Sequence, residues 1–343
     1  MNKTFARIKD IAIYYPQKVL SNDELASIYP DWPAAKILEK TGISERHIAA
    51  IDQTAGDLAF EAANNLFTQG EISASDVDFI ILCTQAPDYV LPTTACILQD
   101  RLGISRQAGA LDINLGCSGF VYGLSLAKGL IETNSARCVL LLTADTYSKY
   151  INPMDKSVRT LFGDAAAATA VIAVDVDQSC GEFIGPFVFG TDGNGAKNLI
   201  VEAGSYRLPK TAGTAIEVTD DSGNVRSRDD LYMNGAEVMS FSLNEVPKAV
   251  DALLVKTNMS KEDIDFFVLH QANKFMLDAL RKKLKLPSEK IPILVEDSGN
   301  TVSSTIPIAL FKMRKQRQLI EGNRLMLVGF GVGYSWAACI LNI

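Results

Sequence analysis

In the stretch LDINLGCSGFVYGLSLAKGL, residues 111–130, a strand-like apolar run ends in Asn114-Leu115-Gly116 and Cys117 follows directly. Ser118-Gly119 then lead into a segment with helical spacing. A helix start carries unpaired N–H groups and partial positive charge, which lowers a thiol's pKa and favours thiolate. The same N–H groups can face an oxyanion. The small neighbours Gly116, Ser118 and Gly119 read as room for a substrate and as freedom for a sharp turn. Most buried cysteines are small core fillers; the strand–turn–helix setting is what makes Cys117 a candidate nucleophile.

Three further stretches carry chemistry. His270 ends an apolar strand in VLHQANKFM, where a satisfied core histidine is the plainer alternative. Asn300 lies in EDSGNTVSSTIPIAL, ahead of a helix that contains Pro307; turn and cap chemistry is its commonest use there. VGFGVGYSW, 328–336, places glycine at every second position, which weakens a strand and admits close backbone approach, or marks a bulge or hairpin. It is a poor phosphate loop, because no Lys-Ser/Thr follows. His47 sits between charges and reads as exposed.

These residues need elements to hold them. Apolar runs of strand length recur at 78–84, 138–145, 265–271 and 324–331, and none alternates cleanly, as for strands covered on both faces. Between them, 54–70 opens on a Thr cap and closes on Gly. Phe120, Leu124, Ala127 and Ile131 share one helix face, as do Met276, Leu280 and Leu284. The class is α/β. Leu111–Asn114 with Cys117 echoes Phe266–Leu269 with His270: strand, turn, helix, with a reactive side chain at the carboxyl end of a buried strand. In open α/β sheets ligands bind at that end. Two halves follow, 1–175 with the cysteine and 176–343 with His and Asn, the second carrying a polar, Gly-rich insert at about 190–230 that reads as a surface excursion, a lid or a substrate-side insert.

Composition excludes several classes. The chain has 343 residues, 48% hydrophobic and 21% charged, which fits a well-buried globular protein. A net charge of −7 gives no global pull toward nucleic acid or anionic membrane. The N-terminus lacks a signal-like apolar core and no apolar run would cross a bilayer, so the expectation is a soluble, cytoplasmic protein. Cys83, Cys96, Cys117, Cys138, Cys180 and Cys339 are scattered without a CxxC and read as free thiols. With two histidines and no His/Cys cluster, no metal site is expected.

GCSGF, HQAN, GNT and the terminal GFGxGxxW, with TGISERHIAA, LPTTACILQDRLG, LFGDAAAA and HQANKFMLDALRKKL in order, resemble ketoacyl-acyl-carrier-protein synthase III of the thiolase superfamily over most of the chain. The resemblance implies a five-layered α/β/α/β/α fold of two related halves and a homodimer. It implies that Cys117 takes an acyl group from acyl-CoA, and that His270 and Asn300 assist decarboxylative condensation with malonyl-acyl carrier protein, starting fatty acid synthesis by ping-pong kinetics. No cofactor is implied beyond the coenzyme A thioester as substrate. Cys117 and Val332 would supply the oxyanion N–H groups. Lys40, Thr41, Lys156, Leu161, Met233, Gly235, Ala272 and Asn273 match substrate-binding positions, and Leu91 (from across the dimer) and Phe330 match the acyl pocket. Arg281, Lys282 and Lys283, with Lys285, match a carrier-protein patch; a solvated helix face is the plainer reading of those charges.

The chain departs from the family at Lys36, where an aromatic usually stacks on adenine, at Lys40 and Lys156 in place of arginines, at Ala236 for an asparagine, and at Val332 for a glycine. These changes imply altered acyl-donor binding, with a longer acyl-CoA or a carrier-bound acyl group as donor. A specialised relative in secondary metabolism is the alternative within the class. A cysteine hydrolase with a Cys-His-Asn set and a non-catalytic partner subunit are the alternatives outside it.

Overall fold

The computed structural model describes residues 2–177 and 181–343. Cys180 lies outside the described residues. The first sheet runs Asn2–Tyr14, Ala165–Asp177, Cys138–Asp145, Phe79–Cys83, Gly109–Ile113. The first two contacts are antiparallel and the last two parallel. The second sheet runs Ile184–Thr191, Ser335–Asn342, Arg324–Gly331, Phe266–Leu269, again antiparallel, antiparallel, parallel. The second sheet thus repeats four strands of the first, and the chain passes between them after Asp177.

Two helices lie between the sheets. Phe120, Val121, Leu124, Ala127 and Ile131 of helix Gly119–Glu132 share one core with Ile306, Ala309, Leu310 and Met313 of helix Thr305–Lys315 and with inward residues of both sheets. Helix Ala55–Thr68 covers the outer face of the first sheet. Helices Gly235–Thr257 and Lys274–Leu284 cover that of the second. The layers read α/β/α/β/α. Cys138–Asp145 is buried at every residue, as expected for a central strand sandwiched by helices. Helix Ala55–Thr68 begins at Thr54 in a capping box with Asp57 and is followed by Gly70 at φ 92°.

Two expectations fail here. Gly109–Ile113, the strand before Cys117, is half-buried throughout because it is the sheet edge. The internal echo is also misaligned. By position in the sheet, Phe266–Leu269 corresponds to Phe79–Cys83, since each is the parallel neighbour of the next strand inward. Strand–turn–helix is a local pattern and recurs in every such unit, so it cannot fix the correspondence. The insert is tied down rather than loose: Leu199–Val201 pairs with Leu231–Met233, and Val218–Thr219 with Val225–Arg226.

Candidate active site

Cys117, His270 and Asn300 line one cavity of about 270 Å³. All three are buried, at 5%, 2% and 5% exposure. Its walls are largely apolar and include Phe330, Gly331, Met233, Val238 and Met276. Few polar groups in an apolar hollow is the usual make-up of a small-molecule site.

Cys117 sits where the chain turns from the edge strand into helix Gly119–Glu132, whose first residues receive no side-chain cap. The glycines around it serve packing. A Cβ on Gly119 would lie 2.1 Å from Cys83 Sγ, and one on Gly116 would lie 2.5 Å from Gln85 Oε1. Neither has positive φ, so they do not supply the unusual backbone the sequence suggested. Across the site, a Cβ on Gly331 would lie 2.9 Å from Cys117 Sγ, which explains the alternating glycines of Arg324–Gly331. The two strands Arg324–Gly331 and Ser335–Asn342 form a hairpin that sets residue 332 against the thiol.

Burial and the helix start act on the thiol in opposite directions. Burial pushes it up to about 12, with the Asp145 carboxylate adding to the rise. The N–H groups of Val332 and of Cys117 itself pull the other way. The expected helix-start effect is therefore outweighed by desolvation. Asp145 is fully buried; its carboxyl accepts from Gln85 N at 2.8 Å and from Ser303, and burial raises it to about 7.

His270 follows strand Phe266–Leu269; its N–H bonds Val328 O at 2.8 Å. Its Nδ1 lies 2.7 Å from Thr305 Oγ1, and its ring meets Phe330 edge-on at 5.5 Å. Burial holds its pKa down to about 3, so the ring is neutral near pH 7. Asn300 is anchored to the other half: it bonds Leu161 O at 2.8 Å and receives Gly163 N at 3.1 Å. Its side-chain oxygen accepts from Val302 N at 3.0 Å, which leaves the NH2 group as the free donor.

Of the other sequence candidates, Leu161, Met233, Gly235, Ala272 and Asn273 line this cavity. Asn273 also caps helix Lys274–Leu284 by accepting from Met276 N at 2.8 Å. Phe330 lines it too, against His270. Lys40, Thr41 and Lys156 are not among its lining residues. The Thr41 hydroxyl closes its own helix, donating to Ile37 O at 2.7 Å and accepting from Ile43 N at 3.0 Å. Lys156 Nζ donates to Ser222 O at 2.7 Å, and Lys40 is exposed on helix Ala34–Thr41. Leu91 is 77% exposed. Arg281 faces Asp278 at 3.6 Å, whereas Lys282 and Lys283 are exposed without an ion pair among the described residues.

Sequence reasoning missed several residues. His47 is half-buried, stacked 4.6 Å from Tyr15 with Nδ1 2.6 Å from Pro16 O. Trp32 lies under the Lys36 ammonium at 5.2 Å, so an aromatic is present beside the position that lacks one. A second hollow of about 350 Å³ is lined by Val332 with Gln85, Tyr147 and Leu231. The Tyr147 hydroxyl donates to Gln85 Oε1 at 2.6 Å there. Thr305 and Val302, which touch His270 and Asn300, had no signal beyond their nearness to GNT. Among the described residues no group of three or more His, Cys, Asp or Glu could hold a metal, and no helix is long and apolar enough to cross a membrane.

The chain is similar to known proteins over nearly its whole length. Residues 111–193 match the family model for 3-oxoacyl-[acyl-carrier-protein] synthase III, and 254–343 match its C-terminal model. A beta-ketoacyl-[acyl-carrier-protein] synthase III of Caldanaerobacter subterraneus subsp. tengcongensis is 35% identical over 99% of this chain and 98% of its own. A crystal structure of a 3-oxoacyl-(acyl-carrier-protein) synthase III is 67% identical, with TM-score 0.97 over 99% of this chain and all of that one (100%). The priming beta-ketosynthase of the R1128 polyketide pathway is 27% identical, with TM-score 0.84 over 100% of this chain and 97% of that one.

Proposed function

Since this chain belongs to the 3-oxoacyl-[acyl-carrier-protein] synthase III family and is a decarboxylating condensing acyltransferase of fatty acid initiation, we propose how its residues divide the reaction. Cys117 Sγ attacks the carbonyl of an acyl-CoA. The thiol proton leaves with the coenzyme A sulfur, and the acyl group stays as a Cys117 thioester. Malonyl-acyl carrier protein then enters through the same hollow. Its carboxylate leaves as CO₂, and the electron pair of the broken C–C bond moves into the thioester as an enolate. The Asn300 NH2 and His270 Nε2–H donate to that enolate oxygen, so neither side chain need act as a base. The carbanion carbon attacks the Cys117 acyl carbonyl. Its oxyanion lies against the N–H groups of Cys117 and Val332 until the Cys117 sulfur departs, leaving a 3-oxoacyl-carrier product. No resident cofactor enters these steps.

The observation that carries this reading is the convergence of the Val332 and Cys117 N–H groups on a buried thiol that shares one hollow with Asn300 and His270. The condensation is common to the primary-metabolism relatives and the polyketide-priming neighbour; the higher identity to the former supports fatty acid initiation. Lys282 and Lys283, exposed on the helix after His270, are the proposed landing point of the acidic carrier protein. A homodimer is proposed through the open edge of Gly109–Ile113, beside which Tyr89, Val90 and Leu91 are 61%, 80% and 77% exposed. Free Cys83, Cys96, Cys117, Cys138 and Cys339 support a cytoplasmic setting.

The test is intact mass after incubation with acyl-CoAs of graded length, beside Cys117→Ala. One acyl mass gained by the native chain and none by the variant establishes the acyl-enzyme and names the primer. No gain from any acyl-CoA or acyl-carrier protein overturns the assignment.

A further inference from the structure

His270 is buried with a suppressed charge, so its ring carries one proton, on Nδ1 or on Nε2. The choice decides its chemistry. A ring protonated at Nε2 donates a hydrogen bond through that nitrogen; a ring protonated at Nδ1 presents a lone pair there and cannot donate.

Thr305 controls that choice. Its Oγ1 is 2.7 Å from His270 Nδ1 and 3.1 Å from Val302 O, and the hydroxyl has one proton for the two. Val302 O already accepts the backbone N–H of Thr305. No other hydrogen bond to His270 Nδ1 is found among the described residues. Donation to Val302 O would add a second bond to a satisfied carbonyl. Donation to Nδ1 satisfies a buried nitrogen at the shorter distance. Thr305 is also held in place: it is 2% exposed and opens helix Thr305–Lys315, whose Ile306 and Ala309 are locked into the core between the sheets.

We propose that the Thr305 hydroxyl donates to His270 Nδ1 and thereby holds His270 in its Nε2–H form, which makes Thr305 a positioning residue for decarboxylation. The inference rests on the reading of His270 as a hydrogen-bond donor and deepens it. One turn then orients both donors to the enolate. Val302 N–H takes the Asn300 oxygen and turns the NH2 outward, and Thr305 takes His270 Nδ1 and leaves Nε2–H free.

The chain has two histidines, so ¹⁵N-histidine labelling with long-range ¹H–¹⁵N correlation reads the tautomer directly, and His47→Gln assigns the pair. The expected native spectrum has His270 protonated at Nε2 and bare at Nδ1. Protonation at Nδ1 overturns the proposal. In Thr305→Val, malonyl-carrier decarboxylation should fall about 10²-fold, acylation of Cys117 by acyl-CoA should stay within about 3-fold, and the single tautomer should be lost; Thr305→Ser should restore all three. Decarboxylation at the native rate in Thr305→Val overturns the proposal, as does failure of a folded Thr305→Ser to restore it. If the valine variant does not fold, the native spectrum and the serine variant still decide. Failure of the native chain to take up any acyl group would instead strike the function reading, which the tautomer measurement does not depend on.

Discussion

Val302 N–H meets Asn300 Oδ1 at 3.0 Å while Val302 itself lies at φ 55°. A fully buried β-branched residue in the left-handed region is a costly conformation, of order 1–3 kcal/mol. The surrounding core holds it there, and the result is an amide whose orientation is fixed before any substrate arrives.

That orientation gives a clean variant. Asn300→Asp keeps an oxygen for Val302 N–H and replaces the NH2 donor by a second oxygen. Malonyl-carrier decarboxylation should fall about 10²–10³-fold, the usual loss for one oxyanion donor. Acyl-CoA should still label Cys117. Separate assays of the two half-reactions check it, and an equal loss in both would contradict the division of labour.

The Cys117 thiol, raised to about 12 by burial, stays protonated across the physiological range. Alkylation by iodoacetamide should therefore climb about tenfold per pH unit from pH 7 to 10, with no plateau. A plateau near neutrality would show a preformed thiolate.

His270 gives an acid-side signature. Its folded pKa, lowered to about 3, lies below the unfolded value near 6.5, so the unfolded chain binds the extra proton in that window. The stability it contributes is complete above pH 6.5 and is lost as pH falls toward 3. Asp145, raised to about 7, runs the opposite way, stabilising most at low pH and losing that contribution as pH rises through 7. Thermal melts of native protein and His270→Gln across pH 7 to 4 isolate the first effect. The native Tm should fall faster than that of the variant, and parallel curves would refute it.

Gly331→Ala would put a methyl 2.9 Å from Cys117 Cβ and Sγ. Packing of this kind costs about 1–3 kcal/mol. Denaturant melts should show that loss, and acylation of Cys117 should drop with it because the methyl occupies the path to the thiol. Native-like acylation would mean that the hairpin relaxes.

Charge reversal at Lys282 and Lys283 should raise KM for malonyl-carrier protein, steeply at low salt, and leave acylation by acyl-CoA untouched, since screened encounter forces with the carrier are the ones removed. An unchanged KM would leave those lysines as a solvated face.

Cys138–Asp145 and Arg324–Gly331 are legible to the residue because each is a mostly apolar run of strand length, buried at nearly every position. Helix Ala55–Thr68 is legible from its cap. Cys117, His270 and Asn300 are legible as types in suggestive places. The sheet order that makes Phe266–Leu269 the counterpart of Phe79–Cys83 is not, because pairing is set by tertiary packing rather than by local pattern. Nor is the raised thiol pKa: the helix start is visible in sequence, but the depth of burial that outweighs it is a property of the whole core. Thr305 and His270 are 35 residues apart, and no spacing rule joins them.

The two helices between the sheets begin at opposite ends of the chemistry. Helix Gly119–Glu132 starts beside the Cys117 sulfur, and helix Thr305–Lys315 starts at the Thr305 hydroxyl that meets His270 Nδ1. On the proposed mechanism, the spacing between Cys117 and His270 is set by how closely those two helices pack in their shared core. Trimming Leu124 or Leu310, deep in the seam and absent from the lining of the hollow, would act like a shim removed from a vice: each jaw would still hold its own residue, while the condensation slowed.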